Sequence, residues 1–129
     1  MNEEQLLKTG ERINQLFSTD IKIIQNSEVF SYSVDSVLLS RFPRFPKNGL
    51  IVDFCAGNGA VGLFASSRTK AKILSVEIQE RLADMAERSV RLNGLDGQMQ
   101  VICDDLKNMP SHIQGSKVDL ILCNPPYFK

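Results

Sequence analysis

A single α/β domain built on a parallel sheet is the fold these 129 residues predict, on three observations. Short apolar runs recur at Leu50–Asp53, Lys72–Val76, Met99–Cys103 and Val118–Cys123. Helical segments separate the first three of them, and each run ends on a polar residue: Asp53, Glu77, Asp104-Asp105 and Asn124. Strand and helix in alternation specify parallel strands with right-handed crossovers. Ligands of such sheets lie beyond the carboxyl ends of the strands, so these four ends mark out a site.

Taken in order, residues 1–20 read as short helical material, with Leu6, Leu7, Ile13, Leu16 and Phe17 in rough helical spacing around Gly10. Ile21–Ile24 reads as a strand or hairpin arm ending at Gln25-Asn26. Phe30–Asp35 reads as a loop. Ser33 then caps a helix that carries Val34, Val37, Leu38 and Phe42 on one face. Pro43 and Pro46 end it, and Lys47-Asn48-Gly49 turn the chain into the first central strand.

That strand runs into the stretch Cys55-Ala56-Gly57-Asn58-Gly59. A turn rich in small residues lets a ligand approach the backbone, and the helix that follows, Ala60–Ser66, brings its N-terminus beside it. The second strand closes on Glu77. Glu80–Asn93 is the clearest helix: Leu82, Met85, Ala86, Ser89, Val90 and Asn93 keep the 3.6-residue period and Gly94 supplies the turn after it. Its Met and apolar residues read as a core stripe. After the third strand, Asp104-Asp105 lead into a short polar helix or turn that runs through Lys107 to a break at Pro110-Ser111, where His112 reads as a solvated imidazole.

Composition narrows the function. Fifteen basic and fifteen acidic side chains cancel, so no general electrostatic grip on nucleic acid is predicted, while a local basic patch stays open. Cys55, Cys103 and Cys123 are an odd number without paired short spacing, which points away from a disulfide framework or a zinc site and toward small buried thiols. No apolar run reaches the roughly 18 residues of a membrane span, and the acidic start at Glu3-Glu4 is unlike a signal peptide. These features predict a cytoplasmic chain without a metal.

The strand ends support specific chemistry. A carboxylate at Glu77 can accept two hydrogen bonds from a ribose diol. Asp53 either fixes the Gly-rich turn or accepts from an ammonium group. The side chains of adjacent Asp104 and Asp105 diverge, so one of the two faces a ligand. At the carboxyl end, Pro125 and Pro126 stiffen the backbone, so the Pro125 carbonyl and the Asn124 side-chain oxygen can aim at one point. Two fixed acceptors suit a planar amine with two N–H groups, and Tyr127 offers a face for a stacked ring.

With Asn124-Pro125-Pro126-Tyr127 in place, the chain resembles the class I S-adenosylmethionine-dependent methyltransferases that modify amino groups. More narrowly it resembles the bacterial tRNA1(Val) adenine-N6-methyltransferases, in ERINQLF at 11–17, IIQNSEVFSYSVDSVLLSRF at 23–42, VDFCAGNGAVGL at 52–63, VEIQERLADMAERSVRLNG at 76–94 and NPPYF at 124–128. The resemblance implies a Rossmann-like sheet, S-adenosylmethionine as cofactor, and methyl transfer to the N6 amine of an anticodon-loop adenosine in tRNA. It implies cofactor contacts at Phe30, Ser31, Tyr32, Asp53, Cys55, Gly57, Asn58, Gly59, Glu77, Ile78, Asp104, Asp105, Leu106 and Asn124, and a catalytic group of Asn124, Pro125 and Tyr127. Cys55 stands where the family loop often has its first glycine. Two other readings stay open: methylation of a protein glutamine amide, and a silent fragment that only binds cofactor or a partner chain.

Members of this family continue past the motif, so the resemblance implies an N-terminal half, truncated after the fourth strand of the sheet. Residues 1–48 would be a helical and loop segment packing on the cofactor site, and 49–129 a partial cofactor-binding domain. The strand at 118–123 would then be an apolar edge open to self-association.

Overall fold

The computed structural model describes residues 3–16, 19–26, 44–113 and 117–123. The loop at Phe30–Asp35, the helix capped by Ser33 and the Asn124–Tyr127 motif lie outside them. In chain order the elements are β1 (Arg12–Gln15), β2 (Lys22–Gln25), β3 (Leu50–Phe54), α1 (Ala60–Ser66), β4 (Lys72–Glu77), α2 (Glu80–Leu92), β5 (Met99–Cys103), α3 (Met109–His112) and β6 (Leu120–Cys123). Single 3-10 turns stand at Glu3–Leu6 and Leu106–Asn108.

The four central strands form one parallel sheet in the order β5-β4-β3-β6. Strand β3 is the middle of the chemistry: Asp53 lies opposite Ser75 of β4 on one side and Leu122 of β6 on the other. Alternation divides the sheet into two faces. Ile51, Ile73, Met99 and Leu122 pack with Leu63 and Phe64 of α1 and Val90 of α2, while Val52, Leu74 and Val76 turn the other way toward Phe54, Ile102 and Ile113. Burying an Ile or Met of this kind stabilises a chain by about 1.5–3 kcal/mol each.

Helix α1 crosses the sheet at very short range, and Gly62 permits it. A Cβ there would sit 2.8 Å from both Ser75 Oγ and Met99 Cε. Gly62→Ala is therefore expected to destabilise the chain by about 1–2 kcal/mol, overpacking outweighing the helix propensity gained. The urea midpoint measures it; an unchanged or raised midpoint would contradict the close approach.

Helix α2 runs as its periodicity predicts, with Glu80 in its first turn, Arg91 in its last and Gly94 in the left-handed conformation beyond it (φ 66°). Two expectations fail. Pro110 does not break the chain; it sits inside the first turn of α3, where a missing N–H costs nothing. Residues 11–16 are not helical: Arg12–Gln15 pairs antiparallel with Lys22–Gln25, Ile13 opposite Ile24.

The hairpin wins because its partners lie far along the chain. The Ile24 N–H donates to Ser89 Oγ at 2.9 Å and the Lys22 N–H to Asn93 Oδ1 at 2.8 Å, so polar groups of α2 satisfy the outer edge of β2. Arg88 forms a two-pronged pair with Glu11, its Nη2 donating to Oε2 at 2.7 Å, and its Nη1 also donates to the Leu6 carbonyl at 2.7 Å. Asp84 joins from below, accepting from Arg88 Nε at 3.0 Å and from Lys8 Nζ at 2.8 Å. A lone seven-residue helix has no such anchors and is marginal in water.

Candidate functional site

The carboxyl edge of the sheet collects Asp53, the Gly-rich turn, Glu77, Ile78 and Asp104–Leu106. Glu77 organises them. It ends β4, is 6% exposed, and accepts from the Gly57 N–H at Oε1 (2.8 Å) and the Gln79 N–H at Oε2 (2.9 Å). One carboxylate thus ties the turn after β3 to the connection into α2, and each oxygen keeps a second lone pair. The Ala56 N–H adds a bond to the Val76 carbonyl at 3.0 Å. Gly59 opens α1 with φ 91°, a conformation glycine takes at no steric cost.

Asp53 lies deeper than a ligand contact. It is 1% exposed, beneath the start of α1, and neither oxygen has a full hydrogen bond. Burial pushes its carboxyl up to about 8; the Gly62 N–H opposes that shift and nearby Glu77 adds to it. Asn58 is also inside: its Nδ2 faces the Ile24 carbonyl at 3.4 Å, so the side chain looks to the hairpin and only backbone faces the edge.

The adjacent aspartates take different partners in the turn. Asp104 is absorbed in a local turn, its Oδ1 accepting from the Asp105 N–H and Asn108 Nδ2, each at 2.7 Å. Asp105 accepts at Oδ1 from the Lys107 N–H at 3.1 Å and is half-buried. Ile78 and Leu106, 61% and 41% exposed, flank this acid with apolar surface.

The cysteines correct the sequence reading. Cys55 is half-buried, and Cys103 and Cys123 are exposed, because all three fall where strands give way to open turns. Cys55 takes a left-handed φ of 56°, and Cys123 at the end of β6 pairs in register with Phe54, the residue before Cys55. Burial first, and then Cys123, push the Cys55 thiol up; burial does the same to Cys103.

Phe30, Ser31, Tyr32, Asn124, Pro125 and Tyr127 lie outside the described residues, although β6 delivers the chain to Cys123, the residue before Asn124, next to Cys55. Sequence reasoning missed Gln79, which acts through its N–H, and Ser75, fully buried opposite Asp53. Neither carries a side-chain signal visible without the sheet register. Among the described residues no three His, Cys, Asp or Glu are grouped to hold a metal, and no helix is long and apolar enough to cross a membrane.

The donor set at this edge fits a nucleoside: carboxylate lone pairs for a diol, two apolar side chains for a ring and a free aspartate oxygen for an amine. Comparison with known proteins points the same way. A family model described as methyltransferase small domain matches residues 20–129. A protein of Shewanella halifaxensis named tRNA1(Val) (adenine(37)-N6)-methyltransferase is 31% identical over 96 residues, covering 74% of this chain and 39% of the relative. Among solved structures, a SAM-dependent methyltransferase from Agrobacterium tumefaciens superposes with a TM-score of 0.65 at 18% identity, over 93% of this chain and 41% of that one. TrmK of M. capricolum, solved with S-adenosyl-homocysteine, gives 0.60 at 14% identity over 71% and 40%. At such identities the structures speak for the fold, and the chain spans about two fifths of the length of the curated relatives it matches.

Proposed function

The chain belongs to the methyltransferase small domain family, and from that membership we propose that its sheet edge holds S-adenosylmethionine for methyl transfer to the N6 amine of an anticodon-loop adenosine in tRNA. The observation that carries the proposal is the Glu77 carboxylate, fixed by two backbone N–H groups at the strand end next to the Gly-rich turn. The name of the S. halifaxensis relative supports the choice of substrate.

In this reading Glu77 accepts from the ribose hydroxyls, Ile78 and Leu106 flank the adenine, and Asp105 accepts from its amine. Phe30, Ser31 and Tyr32 wall the pocket, and the backbone at Cys55, Gly57, Asn58 and Gly59 faces the amino-acid end of the cofactor. The bound cofactor supplies an electrophilic methyl group on sulfur. Asn124 and the Pro125 carbonyl hold the two hydrogens of the target amine, which turns the nitrogen lone pair toward that group, and Tyr127 stacks the target ring. The amine needs no strong base before attack and gives its proton to solvent afterwards. Positioning of this sort contributes about 7–11 kcal/mol in favourable cases. The target base leaves its stack at least cost in a single-stranded loop. Residues 1–48 support the pocket from the hairpin side, 49–129 carry it, and the cytoplasm is where such an RNA is met.

Glu77→Ala is expected to weaken S-adenosylmethionine binding roughly 10- to 100-fold, since it removes both the diol acceptor and the brace on the turn. Calorimetric titration of both proteins, folded by circular dichroism, checks this; equal affinities would contradict the assignment. The function itself is tested by offering unmodified tRNA and a release-factor protein to the full-length gene product with labelled cofactor. Label at adenosine N6 is the expected result. Label on a glutamine amide would overturn it.

A further inference from the structure

We propose that Cys55 and Cys123 form a dithiol that closes to a disulfide under hydrogen peroxide and, in closing, clamps the Gly-rich turn to β6 and weakens cofactor binding. The bond follows from strand register and the exposure of the two thiols; only its effect on the cofactor rests on the function proposed above.

Cys123 pairs in register with Phe54, the residue before Cys55. Neighbouring strands lie about 4.8 Å apart and advance about 3.3 Å per residue, so a diagonal neighbour stands about 6 Å away. That separation is inside the 4.4–6.8 Å Cα window of natural disulfides. In an extended strand Cys55 would follow Asp53 to the helix-covered face. Its φ of 56° breaks that alternation, and Cys123 is near enough to help keep the proton on the Cys55 thiol. Glycine would adopt this φ without strain, so backbone geometry does not select the thiol.

The third cysteine is a built-in control. Cys103 lies opposite Glu77, and β4 separates its strand from β3, about 10 Å from Cys55 and beyond disulfide reach.

Exposure sets the order of events. Cys123 is open to solvent, whereas Cys55 is half-buried and burial keeps its proton on. The Cys123 thiolate attacks one peroxide oxygen, the O–O bond breaks, and the departing hydroxide takes a proton to leave as water. Cys123 is then a sulfenic acid. The Cys55 sulfur attacks the Cys123 sulfur, the S–O bond breaks, and a second water leaves with the Cys55 proton. Two thiols lose two electrons, and one peroxide becomes two waters. The crosslink fixes the turn that carries Gly57 and Gly59 against the strand that leads into Asn124, and it reopens with a dithiol reductant.

The chain is treated with hydrogen peroxide under native conditions, digested without reductant and mapped by mass spectrometry. A Cys55–Cys123 crosslink with Cys103 left free is expected, absent from Cys123→Ser and retained in Cys103→Ser. A Cys123 that stops at sulfenic or sulfinic acid, or a crosslink that involves Cys103, would overturn the site. In parallel, S-adenosyl-homocysteine binding should fall about tenfold or more on oxidation, the loss when the competent turn drops to a tenth of the population, and return with dithiothreitol. Cys123→Ser should bind normally and ignore peroxide. A crosslinked chain that binds with unchanged affinity would overturn the clamp while leaving the disulfide. A reduced chain that binds nothing, yet crosslinks, would instead count against the cofactor reading.

Discussion

Replacing Arg88 by Met is expected to cost about 3–5 kcal/mol of folding stability, because it strands a buried charge. The Arg88 and Glu11 side chains are 6% and 3% exposed, and the guanidinium also holds the Leu6 carbonyl. Once the cation is gone, the Glu11 carboxylate has lost its main partner in a place where water reaches it poorly. Most of the loss should return in the double variant Arg88→Met, Glu11→Leu, since replacing both partners by apolar groups removes the stranded charge. Urea unfolding of the four proteins measures the cycle. A single variant as stable as the parent would contradict the anchor.

The same pair has a pH signature. The Arg88 hydrogen bond holds the Glu11 carboxyl below its ordinary value of 4.5. A depressed acid contributes stability that is present above the unfolded value and lost as pH falls through the folded one. The parent should therefore weaken below about pH 4.5 more steeply than Arg88→Met does.

The second large effect has the opposite sign. Asp53, raised from 3.8 to about 8 by burial, favours its protonated form in the folded chain. Its stabilising contribution is complete below 3.8 and declines as pH rises toward 8. At about 1.36 kcal/mol per unit, the decline approaches an upper bound of about 6 kcal/mol. Asp53→Asn keeps the shape and removes the titration. The variant should match the parent below pH 3.8, where both states are protonated, and exceed it by several kcal/mol at pH 8 and above, read from melting curves across pH. Parallel curves for the two proteins would show that Asp53 is not the buried acid described.

What could be read in the sequence, and what could not, follows from the range of the forces. Strands β3 to β6 and helices α1 and α2 are legible because their signals are local: apolar runs of strand length, a 3.6-residue stripe and Gly94 as a stop. Glu77 at its strand end is legible for the same reason. The hairpin is not. Ile13 and Leu16 fit a helix as well as a strand, and the deciding groups, Arg88, Ser89 and Asn93, lie about 70 to 80 residues away. Asp53 was legible as a strand-end acid, but its depth depends on how closely Gly62 lets α1 descend. The thiols read as buried because their neighbours in sequence are apolar or small, while their neighbours in space are open turns.

The apolar edge expected at 118–123 has a counterpart in the structure. Among the described residues β6 pairs with β3 alone, and Ile121 is 56% exposed. An uncovered edge strand invites pairing with another chain. Self-association through it is a proposal, and sedimentation at rising concentration would reveal it.

The central claim is that this sheet edge is a competent cofactor site, and titration calorimetry of S-adenosylmethionine into the purified chain tests it most directly. One molecule should bind per chain, with NAD giving no comparable heat under the same conditions. A chain folded by circular dichroism that gives no heat with S-adenosylmethionine at millimolar concentration would contradict the account.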